Sequence, residues 1–232
     1  MSLTLYYHPL ASFCWKVLIA LYENGTPFEP HIVDLGDPSA SAAFKRLWPM
    51  GKMPVLQDHA RDRLIPETSI IIEYLEQCYP GGTQLVPADP DPARQTRLWD
   101  RFYDLYVSEP MQKIVADKLR PPGRGDPQGV EVARETLQTA YGMIERDMAT
   151  RIWAVGDAFT MADCAAAPAL FYANQLMPFG DSHPNVARYF DRLVERPSFA
   201  RVIEQARPYF AMFPGRPGGV SHRSAMDRGA AE

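Results

Sequence analysis

The chain is poor in cysteine: three residues among 232, Cys14, Cys78 and Cys164, an odd number with no C-x-x-C pair and no Cys/His ligand spacing. That count indicates neither a disulfide framework nor a zinc site, so no metal is expected. Reduced thiols fit a cytosolic home. Long apolar runs are also missing. A membrane span needs about 18 such residues, and the longest candidate, Cys164 to Ala173, falls well short and contains Pro168. The opening residues, Met1-Ser2-Leu3-Thr4-Leu5, lack the basic and apolar regions of a secretory signal, which makes the cytoplasm the expected location. Positive charge is not concentrated either. The 24 Lys and Arg face 28 Asp and Glu for a net charge of −4, and the cations are scattered singly, so neither nucleic acid nor a membrane surface is an expected partner. Internal repeats are absent. What the chain does have is material for a core: it is 46% hydrophobic and 11% aromatic, which excludes disorder for most of it. At roughly 150 residues per domain, the length suits one large domain or two small ones.

Periodicity changes character near residue 80. Before it, short β-like runs (3–7, 28–35, 54–58 and 63–65) alternate with helical stretches, the pattern of βαβ units and a partly parallel sheet. The first helix is expected to start at Ser12 as N-cap, bury Val17, Leu18 and Leu21, and stop at Asn24-Gly25. A second helix is expected over 39–47, and a third from Glu67 or Thr68 to Cys78 with Ile71, Tyr74 and Leu75 inward. The polar segment 57–63 reads as a hairpin turn. Prolines 80, 87, 90 and 92 mark a stiff linker. Beyond it every pattern is helical: a long helix from Ala93 with Pro110 as its kink, another through Leu137, Tyr141 and Ile144, an alanine-rich helix opened by the capping box Thr160-Met161-Ala162-Asp163, and two short helices. The expected organisation is an α/β domain over 1–80, a linker over 81–92, an all-α helical bundle over 93–214, and a flexible tail over 215–232.

Several residues carry chemistry by position. Met53-Pro54 opens a strand, and an X-Pro bond at a sharp turn is a candidate for the cis form; the ordinary alternative is a trans proline that merely starts the strand. Glu67 and Thr68 stand where unpaired N–H groups and the helix dipole attract a carboxylate, although either is also an ordinary helix start. Ser12 is either an N-cap or a hydroxyl donor beside the dipole. Cys14 either has its thiol activated in the first turn or points into the domain as a small hydrophobe. His8 reads as a loop histidine near the cleft, Asp163 as a structural cap, and Tyr6 and Tyr7 as strand packing.

Four features lie together: Tyr7-His8-Pro9-Leu10-Ala11-Ser12-Phe13-Cys14, Gly51-Lys52-Met53-Pro54-Val55-Leu56, Pro66-Glu67-Thr68, and Ile71-x-x-Tyr74-Leu75. In this order they resemble the thioredoxin-like N-terminal domain of the cytosolic glutathione transferase superfamily, of the bacterial serine or cysteine type. The helical half, with Gly156-Asp157 before the capping box, is similar to that superfamily's C-terminal domain. The resemblance implies a cis Met53–Pro54 bond and glutathione as co-substrate, lying as an added strand along the Pro54 edge. It implies binding by Ser12, Lys52, Met53, Pro54, Glu67 and Thr68, with Glu67 at the α-amino group, Thr68 at the γ-glutamyl carboxylate and Lys52 at the glycyl carboxylate. Thr68 stands where relatives usually have Ser. Counted from Tyr7, the serine of many classes falls on Ala11 and the cysteine of the bacterial class on Ser12, so Ser12 is the implied catalytic residue and Cys14 its alternative. Leu10, Tyr103, Tyr106, Met111 and Phe210, with Phe213, are implied walls of an apolar electrophile site. A homodimer is the implied assembly.

Three functions follow from the resemblance. The first is a transferase that ionises the glutathione thiol for attack on a small hydrophobic electrophile, a detoxification chemistry. The second is a thiol–disulfide reductase working through Cys14. The third is a binding or regulatory protein that keeps the fold without turnover.

Overall fold

A computed structural model of the chain describes residues 2–214; the tail expected over 215–232 lies outside the described residues. Four strands form one sheet in the order β2-β1-β3-β4: β1 (Leu3–Tyr7), β2 (Glu29–Ile32), β3 (Val55–Asp58) and β4 (Arg63–Pro66). β1 pairs parallel to β2 and antiparallel to β3, and β3 pairs antiparallel to β4. Alternation decides the faces of β1, where Leu3, Leu5 and Tyr7 are buried and the residues between them are not. The parallel β1–β2 crossover is made by α1 (Ser12–Glu23); α2 (Pro38–Leu47) and α3 (Thr68–Cys78) complete the first domain. β2 is shorter than the apolar run from 28 to 35 suggests, and its four residues are all exposed. Asp58, read as part of a solvated turn, is buried at the end of β3, where it accepts hydrogen bonds from the hydroxyls of Tyr74 and Tyr79 at 2.7 and 2.6 Å.

The second domain is helical: α4 (Pro90–Phe102), α5 (Glu109–Lys118), α6 (Pro127–Asp147), α7 (Met161–Leu176), α8 (Pro184–Val194) and α9 (Pro197–Ala206), followed by a 3₁₀ turn over Arg207–Met212. The long helix expected from Ala93 is interrupted, but not by a simple proline kink. Tyr103–Ser108 form a π-helical segment between α4 and α5, and Pro110 sits in the first turn of α5. Pro110 cannot donate to the carbonyl four residues back, and the wider turn lets the Glu109 N–H reach the Asp104 carbonyl instead. The capping box at α7 forms as expected: Asp163 is fully buried and accepts from the N–H groups of Thr160 and Ala154, each at 2.8 Å, and from the Tyr189 hydroxyl at 2.6 Å.

α1 is the element on which the two domains meet. It packs on α3 on one side and on α7 and α9 on the other. All eight residues from Cys14 to Leu21 are therefore buried, where an amphipathic reading buries only one stripe. Among them is Lys16. Its ammonium forms ion pairs with Asp100 at 2.6 Å and Asp104 at 2.9 Å, and donates to Ser69 Oγ at 3.0 Å; Ser69 in turn donates to Asp100 at 2.5 Å. A second tie joins Glu23, at the far end of α1, to Arg196 and Ser198.

Removing one partner of a buried ion pair leaves a charge uncompensated in low dielectric. Lys16→Met is expected to lower the unfolding free energy by about 3–5 kcal/mol, read from the urea midpoint. Adding Asp100→Asn and Asp104→Asn to it should restore a large part. A loss below about 1 kcal/mol in the single variant, the size of an exposed ion pair, would mean that this network does not hold the domain interface.

Candidate functional site

Three chain segments converge beside the head of α1: the loop after β1, the loop before β3, and the junction of β4 with α3. Between them and the π segment lies a cleft of about 380 Å³, lined from the first domain by Phe13, Trp48, Lys52, Met53, Pro54, Glu67, Thr68, Ser69 and Ile70, and from the second by Arg101, Asp104 and Glu109. Five residues selected from sequence, Lys52, Met53, Pro54, Glu67 and Thr68, thus share one cleft.

The Met53–Pro54 bond is cis. The β3 ladder begins at Val55, and neither the N–H nor the C=O of Met53 has a backbone partner among the described residues. An extended peptide lying alongside would find there the pairing groups of a strand edge. At the other wall, Glu67 is the N-cap of α3 with φ +68° and ψ 121°, a left-handed conformation for a residue with a side chain. Such a residue costs on the order of 1–3 kcal/mol and persists where the surroundings over-determine it. Its side chain makes no capping hydrogen bond. The first-turn N–H groups of α3, at the positive end of its dipole, are left for an anion such as a carboxylate.

Ser12 does not cap α1. Ala11 is the N-cap, with φ −77° and ψ 114°, and its carbonyl accepts from the N–H groups of Cys14 and Trp15, so Ser12 is the first helical residue and no side chain caps the helix. The sequence expectation of Ser12 as N-cap is corrected on this point. Its hydroxyl is left uncommitted, half-buried at the head of the helix, next to Phe13 of the cleft wall.

Cys14 takes the second of its two readings, a small hydrophobe pointing into the domain. It is 0% exposed within the core, and burial pushes its thiol up to about 12 against a hydrogen bond with the His8 backbone. A thiol so placed is neither reachable nor ionised near neutral pH, and a route through Cys14 loses its basis. The expected apolar pocket is also revised. Tyr103 is 0% exposed and Met111 2%, and both pack in the core; Phe210 stacks on Phe171 with ring centroids 5.8 Å apart. Of the five expected walls none lines this cleft; Leu10 is half-buried and Tyr106 exposed. For Tyr106 and Met111, which lie within and after it, the π segment widens the turn and rotates the side chains relative to a continuous α-helix.

The sequence reading missed Ser69, Arg101 and Asp104 of the cleft wall, and Lys16 and Asp100 of the buried network behind it. A signal existed. Lys16 is the one charged residue in the apolar run from Phe13 to Tyr22, and Asp100 and Asp104 recur at i, i+4 among aromatics, the spacing of one helix face. Ser69 and Asp104 belong both to the Lys16 network and to the cleft wall, and Arg101 pairs with Asp104 at 3.2 Å. His8 is half-buried. Burial lowers its pKa, and Leu10 N–H donates to its Nδ1 at 3.2 Å, which places the neutral imidazole's proton on Nε2. No group of three or more His, Cys, Asp or Glu side chains suited to a metal occurs among the described residues. Nor is any described helix long and apolar enough to cross a membrane.

Thiol accessibility gives a direct check on this geometry. Cys14 and Cys164 are buried and Cys78 is partly exposed. An aromatic disulfide reagent at pH 8 is expected to modify Cys78 alone in the native protein and all three thiols in denaturant. Rapid native labelling of Cys14, located by peptide mass, would contradict the placement.

Comparison with known proteins agrees with this architecture. Residues 5–83 match the family described as Glutathione S-transferase, N-terminal domain, and residues 105–197 match Glutathione S-transferase, C-terminal domain. The chain is 32% identical over 165 residues to the glutathione S-transferase-like protein LUC7 of Fusarium sp, covering 68% of this chain and 72% of that protein. With glutathione S-transferase GstB of Escherichia coli K12 it shares 25% identity over 191 residues, 81% of this chain and 91% of the relative. Among solved structures, a glutathione S-transferase of Methylobacillus flagellatus with glutathione bound superposes with a TM-score of 0.80 at 26% identity, covering 87% of this chain and 98% of that one. Both halves of the chain, in this order and joined at α1, therefore place it in the glutathione S-transferase family, with a thioredoxin-like N-terminal domain and an all-α C-terminal domain.

Proposed function

We propose that the protein is a glutathione transferase that binds glutathione in the cleft between Pro54 and α3 and activates its thiol at the head of α1. The observation that carries this reading is the convergence of Lys52, Met53, Pro54, Glu67 and Thr68 on one cleft whose wall includes Phe13, the residue after Ser12 at the uncapped head of α1. In it, the cysteinyl backbone of the tripeptide pairs with the free N–H and C=O of Met53. The γ-glutamyl carboxylate takes the first-turn N–H groups and hydroxyl of Thr68, and its ammonium meets Glu67. Lys52 faces the glycyl carboxylate.

The chemical step asks little of the protein beyond ionisation and proximity. Ser12 Oγ donates a hydrogen bond to the sulfur, and the dipole of α1 adds to it; both favour the thiolate over the thiol. Each unit of depression is worth about 1.4 kcal/mol, so one charge-assisted donor and a dipole supply roughly one to three units, enough to make the thiolate the main species near neutral pH. The thiolate then attacks an electrophilic carbon of a small hydrophobic substrate, the C–S bond forming as the leaving group departs or a ring opens. Leu10 and Tyr106 are the remaining candidates for contact with that substrate. The proposed setting is the cytoplasm and the proposed assembly a homodimer, both following from the family resemblance.

The test is a pH titration of bound glutathione by thiolate absorbance, with conjugation of an aryl halide followed in parallel. The wild-type complex is expected to titrate at least one unit below free glutathione, and Ser12→Ala to return most of that shift and lower kcat/KM by about 10–100-fold, a loss of roughly 1.4–2.7 kcal/mol in transition-state stabilisation. Binding without any depressed titration would favour a non-catalytic glutathione-binding protein. An unchanged titration in Ser12→Ala would remove Ser12 from its role.

A further inference from the structure

The loop that carries Ser12 is short of internal restraint. Its helix is capped by an alanine whose side chain can fix nothing, and within the loop only the Ala11 N–H to the His8 carbonyl, at 3.0 Å, and the Leu10 N–H to the His8 ring hold it together. Two successive carbonyls of this loop are held from outside. The Trp15 indole N–H donates to the Pro9 carbonyl at 2.5 Å. The Tyr172 hydroxyl, from α7 of the other domain, donates to the Leu10 carbonyl at 2.8 Å.

These two donors form one body. The rings of Trp15 and Tyr172 lie 4.9 Å apart, both residues are buried, and Phe171 packs against both. Burial raises the Tyr172 pKa, which keeps its hydroxyl a donor throughout the accessible pH range. Leu10 and Ser12 are two residues apart, so a backbone shift at the Leu10 carbonyl is transmitted through Ala11 toward the Ser12 Cα. A charge-assisted hydrogen bond to sulfur depends steeply on that position, and a displacement of about 1 Å at a reacting group is enough to lose on the order of 10²-fold in rate.

We infer that Tyr172 is a positioning residue for Ser12: its hydroxyl, acting through the Leu10 carbonyl with Trp15 beside it, fixes the serine against the glutathione sulfur. The activating donor is thus aligned by the helical domain, across 162 residues of chain. This inference rests on the transferase reading above. It also means that a disturbance of α7 reaches the chemistry through the Leu10 carbonyl.

Tyr172→Phe removes one oxygen and keeps the ring. It is expected to raise the pKa of bound glutathione by about half a unit or more and lower kcat about 3–10-fold, with KM for glutathione changed less than about twofold. Trp15→Phe, which frees the neighbouring Pro9 carbonyl, is expected to shift the same titration in the same direction and serves if Tyr172→Phe does not fold. The control is Tyr141→Phe, which loses a comparable tyrosine-to-carbonyl bond, to Met177 at 3.1 Å, away from the loop. It should lower the melting temperature as much as Tyr172→Phe and leave the thiol titration in place. If wild type shows the depressed titration and Tyr172→Phe keeps it unchanged while melting lower, the hydroxyl is merely structural and this inference fails alone. If wild type shows no depression, it is the transferase reading that fails.

Discussion

One ammonium group sealed between two carboxylates sets the geometry of this molecule. Lys16 lies inside α1, the helix both domains share, and reaches Asp100 and Asp104 on the opposite side of the interface while holding Ser69 of α3. Burying three charges is expensive unless they satisfy one another, so the network admits few alternative seatings of the domains. Ser69 and Asp104 are at once part of that network and part of the cleft wall. The head of α1, the head of α3 and the π segment are thereby placed relative to each other by a single cluster, and the cleft is what remains between them.

Around that frame the proposed chemistry uses features that each look minor. An uncommitted hydroxyl begins α1, a residue with positive φ begins α3, and a strand edge is left unpaired at Met53. In another setting the first is an ordinary serine and the second a local strain. The last two line one cleft and the first stands next to Phe13 of its wall; under the proposed function they would meet the extended backbone, the carboxylate and the thiol of a γ-glutamyl tripeptide. The far wall, with Arg101, Asp104 and Glu109, is more charged than an apolar electrophile site requires. Arg101 and Asp104 belong to the charge network of the domain junction as well.

How much of this could be read from the sequence depended on whether a feature was local. The strands other than the full length of β2, the capping box at Thr160–Asp163 and the start of α3 are encoded by neighbouring residues, and the structure agrees with them; the cis form of Met53–Pro54 came from the family resemblance, since an X-Pro pair alone favours trans. The choice between the two readings of Cys14 was not local. Its burial follows from α7 and α9 covering α1, which no pattern within α1 announces. The walls expected on this helix were not local either: the π segment shifts the register beyond Tyr103, with Tyr106 left outward and Met111 in the core. Lys16 was visible as a charge in an apolar run, but its carboxylate partners lie more than eighty residues away and only the fold joins them.

The central claim is that a glutathione sulfur sits at the head of α1 within reach of Ser12. A crystal structure of the protein soaked with glutathione tests it most directly. The account predicts the sulfur within hydrogen-bond distance of Ser12 Oγ, the cysteinyl backbone paired with Met53 and the γ-glutamyl carboxylate on the first turn of α3. A tripeptide bound with its sulfur turned away from Ser12, or a cleft that stays empty at saturating concentration, would contradict it.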